Sequence, residues 1–184
     1  VKKTLFVNIF GGPGAGKSTV AAGLFWYMKT QFGISNLSVE LVREYAKELV
    51  WLENYDVLKN QVYVTGKQYH RMKMLDSKVD IAISDSPILV GLAYGEYPPE
   101  YVPYLLSLHN SLTNINILLE RCIPYETVGR TQTEEEAIEK DIFIKNLLIK
   151  YNVPYIEVSV PDISLDTIKM LHSIIIKEYS KIVK

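Results

Sequence analysis

Gly11-Gly12-Pro13-Gly14-Ala15-Gly16-Lys17-Ser18 fits the pattern G-x-x-x-x-G-K-[ST] without a mismatch. Glycines at this spacing let successive backbone N–H groups turn inward around a phosphate chain, which side chains would block. A helix opening near Lys17 adds unpaired N–H groups and the positive end of its dipole. Lys17 supplies a cation for the β- and γ-phosphates, and the Ser18 hydroxyl is placed to ligate Mg²⁺. Gly12, Gly14, Ala15, Gly16, Lys17, Ser18 and Thr19 are therefore the expected ATP-binding residues. A chance match in a chain this long is about one in a hundred from average residue frequencies. The flanks suit the motif: Leu5-Phe6-Val7-Asn8-Ile9-Phe10 reads as a buried strand, and residues 17–31 carry Val20, Leu24, Tyr27 and Met28 at helical spacing.

Outward from this segment, strands and helices alternate. Strands are expected at 38–42, 80–85, 116–120 and 154–158, and helices at 44–52, 57–75, up to about His109, 133–151 and 165–179. Thr133 and Glu136 have capping-box spacing at the head of an acidic helix start. Such alternation implies an α/β fold with a parallel sheet covered on both faces, and ligands at the C-terminal ends of the strands. No repeat or Gly/Ser linker divides the 184 residues, so one domain, 1–184, is expected.

Composition narrows the class. The net charge of −1 argues against an obligate polyanion binder. The lone Cys122 excludes an internal disulfide framework and a Cys-based zinc cluster. No apolar run is long enough for a membrane span, and Val1-Lys2-Lys3-Thr4 starts no signal-peptide pattern. The expected location is the cytoplasm, that of the host if the protein is viral.

The remaining site candidates lie at the predicted sheet rim. No Asn-Lys-x-Asp segment is present to read a guanine, and Ser84-Asp85-Ser86 lacks the adjacent glutamate that activates water in many ATPases. Asp85 either holds Mg²⁺ or orients a hydroxyl, or it caps the next turn. Glu44 either takes a proton from an acceptor hydroxyl or stabilises its own helix start. Only four of twenty basic residues are arginine, and Arg121 and Arg130 bracket a loop at about 122–133 that reads as a lid. A planar guanidinium suits phosphate recognition, and surface ion pairing is the alternative. Gln68 offers an amide to a base or is plain surface. Arg71 belongs either to an acceptor site or to the solvated basic face Lys67, Arg71, Lys73, Lys78. Tyr94, Tyr97, Tyr101 and Tyr104 serve ring stacking or packing, the three histidines show no ligand spacing, and Trp26 and Trp51 are expected in helix packing.

Gly11 to Thr19, Val42-Arg43-Glu44-Tyr45-Ala46, Asp85-Ser86-Pro87 and Gly129-Arg130-x-Gln132-Thr133-Glu134-Glu135-Glu136 together resemble the NadR-type AAA/P-loop kinase family. That family includes ribosylnicotinamide kinase domains and tailed-phage members. The resemblance implies a P-loop NTPase three-layer sandwich of nucleoside/nucleotide kinase type, strand order 2-3-1-4-5, with a lid. It implies that Lys17 and Ser18 bind ATP·Mg²⁺, that Glu44 or Asp85 serves the acceptor hydroxyl and the metal, and that Arg121 and Arg130 are lid arginines. The chain has no room for the adenylyltransferase and DNA-binding domains of the bacterial regulators. The expected function is an ATP- and Mg²⁺-dependent kinase acting on a nucleoside- or nucleotide-like acceptor, with Glu44, Gln68 and Arg71 on the acceptor side. A modified base in phage DNA is a second acceptor class, disfavoured by the net charge. A nucleotide-gated binding module is the rival from outside enzymology.

Overall fold

The computed structural model describes residues 2–30, 36–128 and 132–183. Strand β1 (Leu5–Phe10) is buried along its whole length, as an apolar run bounded by glycines requires. It is the centre of a five-stranded sheet in the order β2-β3-β1-β4-β5, with β2 at Val39–Val42, β3 at Ile81–Ser84, β4 at Thr113–Leu119 and β5 at Ile156–Val158. Every pairing is parallel, and Val7 stands level with Ile83 on one side and Ile115 on the other. The expected fold class and strand order are those found.

Alternation along β1 divides the core in two. Leu5, Val7 and Ile9 face α1 (Lys17–Thr30) and α7 (Leu165–Ile182), packing with Leu24, Leu171 and Ile175. Phe6 and Phe10 face the other way, toward Met72, Leu105 and Leu148. Those residues come from α4 (Gln61–Lys73), α5 (Tyr101–Asn110) and α6 (Glu134–Lys150). Asn8 interrupts the second face. Its Nδ2 donates to Oδ1 of Asn114 and of Asn116 at 2.9 and 3.0 Å, a buried amide cluster between β1 and β4.

Several boundaries differ from expectation. The helix expected at 57–75 is divided into α3 (Tyr55–Lys59) and α4, after α2 (Tyr45–Trp51). Asn54 and Asn60 accept from the Val57 and Tyr63 N–H groups, and Asn60 caps a new helix where periodicity alone suggests continuity. A 3₁₀-helix at Ile88–Ala93 follows β3, and α5 starts at Tyr101 because Pro103 falls in its first turn, where no N–H is needed. Trp26 and Trp51 are not packed in the core. They are 56% and 61% exposed, since α1 buries Val20, Ala21, Leu24 and Met28, and α2 buries Leu49. The capping box stands as expected: Glu136 N–H donates to Thr133 Oγ1, and Thr133 N–H to Glu136 Oε2.

Asp80 ties the sheet to α7 and to the strand before it. It accepts from Ser38 N–H and Oγ–H at 2.8 and 2.6 Å and from Tyr179 OH at 2.6 Å, and it pairs with Lys2 at 3.0 Å. Burial alone would raise this carboxyl, but the Ser38, Tyr179 and Lys2 bonds outweigh it and hold the pKa far below the ordinary 3.8. A depressed folded pKa contributes stability above the unfolded value that is lost as pH falls below about 4. Asp80→Asn is expected to lower stability at pH 7 by about 1–2 kcal/mol and to flatten the loss of stability from pH 4 to pH 2.5. Urea midpoints of both proteins across that range check it. Parallel slopes would count against the role.

Candidate active site

Between β1 and α1 the chain turns through six residues. Gly14 has φ +75°, and a Cβ there would lie 2.7 Å from the Tyr125 ring. Gly16 has φ +90°, and a Cβ there would clash with the Ile163 side chain. Both positions need glycine for conformation and for space. The Lys17 side chain folds back over the loop, and its Nζ donates to the Gly12 carbonyl at 2.7 Å. Ser18 and Thr19 are exposed at the cavity mouth.

Lys17 is the electrostatic centre. Burial of the ammonium lowers its pKa below the ordinary 10.5, opposed by the carboxylates of Glu44, Asp85 and Asp141, with Arg121 adding to the lowering. Glu44, Asp85 and Arg121 thus converge on Lys17 from three loops. Glu44 follows β2 at the position before α2 and makes no side-chain cap to that helix. Asp85 follows β3 and is 7% exposed, and its Oδ1 has no hydrogen-bond partner among the described residues. The turn after it is bonded by Ser84 Oγ, which accepts from Ser86 N–H at 3.3 Å, and among the described residues no side chain caps the 3₁₀-helix that follows.

Arg121 and Asp141 brace the loop from behind. Asp141 Oδ1 accepts from the Gly12 N–H, and Asp141 Oδ2 accepts from Arg121 Nε and Nη2 at 3.0 and 2.8 Å. Arg121 Nη2 also donates to the Pro13 carbonyl at 2.8 Å. Two consecutive loop residues are held by one ion pair, and Arg121 Nη1 is left buried beside Gly14. Asp141 is absent from the sequence-derived candidates. Midway along α6 it has the look of any surface acid, and no motif marks it.

A cavity of about 580 Å³ opens from Lys17 and Ser18, passes Glu44 and Gln68, and continues between the apolar side chains of Val64 and Ile88. Ile123, Pro124, Glu126, Val128 and Gln132 form its other wall, so the segment after β4 lies over the loop. Tyr125, whose hydroxyl donates to the Gln132 carbonyl at 2.7 Å, is part of this cover. Arg130 lies outside the described residues.

Gln68 is 3% exposed, which excludes the plain-surface reading. Arg71 stands off the cavity: Nη2 pairs with Glu48 at 2.7 Å, Nη1 donates to the Arg43 carbonyl, and the guanidinium lies over the Tyr45 ring. Of the four tyrosines, Tyr94 lines the cavity, Tyr97 and Tyr101 stack on each other at 4.6 Å, and Tyr104 is exposed. Burial, with Glu44 and Asp141 nearby, pushes the Tyr94 hydroxyl well above its ordinary pKa, so it stays protonated. Among the described residues no group of three or more His, Cys, Asp or Glu side chains could hold a metal, and no helix is long and apolar enough to cross a membrane.

Solved structures share this architecture. Deoxyadenosine kinase from M. mycoides, with dCMP and dCDP bound, is 19% identical with a TM-score of 0.59, over 94% of this chain and 99% of that one. Thymidylate kinase from Ehrlichia chaffeensis is 18% identical with a TM-score of 0.61, over 95% and 98%. Shikimate kinase from Acinetobacter baumannii, in complex with shikimate, is 13% identical with a TM-score of 0.53, over 96% and 94%. At these identities the likeness is one of fold. Curated protein sequences give no significant match. The family model AAA_28, an AAA domain, matches residues 6–164, a span that runs from β1 through the phosphate loop and the covering segment to the start of α7. With that match added to the loop and sheet, the chain belongs to the AAA domain family AAA_28, a family of P-loop NTPases.

Proposed function

We propose that this protein is an ATP-dependent kinase that transfers the γ-phosphoryl group to a nucleoside- or nucleotide-like acceptor. The observation that carries the reading is the continuity of one cavity, which joins the phosphate loop at Lys17 and Ser18 to a half-apolar chamber beyond Glu44. A hydrolase needs room for water; a chamber of this size beside the loop suits a second organic molecule. The resemblance to NadR-type kinases read from the sequence supports the same class.

In the proposed reaction, N–H groups of residues 14–19 and the Lys17 ammonium hold the phosphates. The acceptor hydroxyl oxygen bonds to the γ-phosphorus as the bond from that phosphorus to the β–γ bridging oxygen breaks, and ADP leaves. Glu44, on the acceptor side, takes the hydroxyl proton. Ser18 and the buried, unpartnered oxygen of Asp85 fit a Mg²⁺ site, and Mg²⁺ bound there would supply charge neutralisation at the phosphate oxygens. Residues 122–133 form the lid of the proposal, with Arg121 and Arg130 as its arginines and the chain 1–184 as one functional unit. Lid cover excludes water, which favours transfer over hydrolysis.

A screen with radiolabelled ATP against nucleosides, nucleotides and ribosylnicotinamide is expected to give a labelled acceptor. Release of free phosphate alone across the panel would defeat the proposal and favour a nucleotide-gated module. Arg130→Ala is expected to lower the single-turnover rate on the order of 10²-fold while ATP affinity falls less than about fivefold. Equal losses in both would remove Arg130 from the transition state.

A further inference from the structure

Gln68 sits on the cavity side of α4, buried in the wall that separates α4 from the start of α2. Its Oε1 accepts the Tyr45 N–H at 3.0 Å. A backbone N–H can only donate, so this bond fixes which end of the amide is oxygen. The Nε2 is then turned away from Tyr45, and it has no hydrogen-bond partner among the described residues. Leaving such a donor buried and unpaired is costly, and a bound molecule that accepts from it recovers that cost. The cavity lining on this side carries Val64, Ile88 and Val90, with Gln61 and Thr65 as further polar residues of α4. The Thr65 hydroxyl can turn to donate or accept, but the Gln68 amide is fixed, and a fixed donor discriminates by the polarity of the group brought against it: a carbonyl is bonded, whereas an amino group sets donor against donor.

We propose that Gln68 selects a keto-bearing nucleoside, with an exocyclic carbonyl of the base placed against Nε2, over its amino-bearing counterpart. This deepens the kinase proposal by naming the acceptor class, and it rests on the cavity being the acceptor site. The Tyr45 N–H fixes the amide's orientation by taking one lone pair of Oε1, and Nε2 is the end of Gln68 left with no partner among the described residues.

The test is calorimetric titration of the full chain, held with a non-hydrolysable ATP analogue, with uridine against cytidine and inosine against adenosine. The keto member of each pair is expected to bind on the order of 10- to 100-fold more tightly. Gln68→Glu keeps an oxygen for the Tyr45 N–H and replaces the donor with an acceptor, so the preference should collapse by about tenfold or more. Gln68→Met should lose it as well. Analogue affinity within about twofold of the wild type serves as the check that each variant is folded. Equal binding within each pair, no binding of any of the four, or a preference that survives in Gln68→Glu overturns the inference. Phosphotransfer measured alongside separates the two proposals. A keto preference in binding without transfer removes the kinase and leaves the role of Gln68. Transfer with no keto preference removes the role of Gln68 and leaves the kinase.

Discussion

Lys17→Ala will abolish phosphotransfer, lowering turnover on the order of 10³-fold or more, while the protein stays folded. The ammonium is held at the loop by the Gly12 carbonyl, and the carboxylates of Glu44, Asp85 and Asp141 all act on it. Removing it takes away the positive charge that offsets the Glu44 and Asp85 carboxylates as the polyanion arrives. Stability should change little, because the burial that lowers the Lys17 pKa already makes its charge costly in the empty site. The pKa direction adds a pH dependence: the ammonium of the empty site is lost below the ordinary 10.5, so nucleotide affinity should begin to fall at a lower pH than an ordinary lysine would predict. Lys17→Arg should not rescue turnover, since the planar guanidinium needs more room than an ammonium folded against a carbonyl. Circular dichroism melting beside a single-turnover assay reads both halves. A folded Lys17→Ala protein with ordinary turnover would falsify the assignment of the loop.

Asp141→Ala is the second large effect, and it acts at a distance from the transferred group. Loss of the carboxylate frees the Gly12 N–H and strips Arg121 of its bonds to Asp141 from Nε and Nη2, leaving a charge that is 14% exposed with the Pro13 carbonyl and the Tyr125 ring as neighbours. Because Asp141 itself is 25% exposed, the expected stability loss is moderate, about 1–3 kcal/mol. The kinetic loss should be larger. A phosphate loop displaced by an ångström forfeits the alignment of its N–H groups, and kcat/KM should fall on the order of 10²-fold. Asp141→Asn separates the parts: its remaining oxygen can still accept from Gly12, while the charge that holds Arg121 is gone. An intermediate kcat with near-normal ATP affinity is expected for it. Wild-type kinetics in Asp141→Ala would show that the ion pair has no part in holding the loop.

These two residues differ in how far they can be seen before folding. Lys17 stands in a contiguous motif whose chemistry depends on neighbours along the chain, so its place is readable from eight consecutive letters. Glu44 and Asp85 are half-legible. Each follows a strand, and the geometry of a parallel sheet sends both to one rim, yet helix-start and turn roles stay open in the sequence, and only the fold shows that Glu44 makes no side-chain cap and that Ser84 bonds the turn at Asp85. Arg71 shows the opposite outcome. It shares α4 with Gln68 three residues away, but its length carries the guanidinium to Glu48 and Tyr45, off the cavity. The division of 57–75 at Asn60 had the same cause as many boundary shifts: a polar side chain that fits a helix in composition prefers to cap one.

Short-range order carried the reading of the strands, the phosphate loop and the capping box at Thr133, because alternation, glycine spacing and side-chain-to-backbone bonds act between residues a few positions apart. The Asp141 brace and the orientation of the Gln68 amide arise only when α6 reaches the loop 129 residues earlier in the chain and α2 reaches α4 across 23. Such contacts depend on where packing brings two helices, and no local pattern encodes a partner that distant.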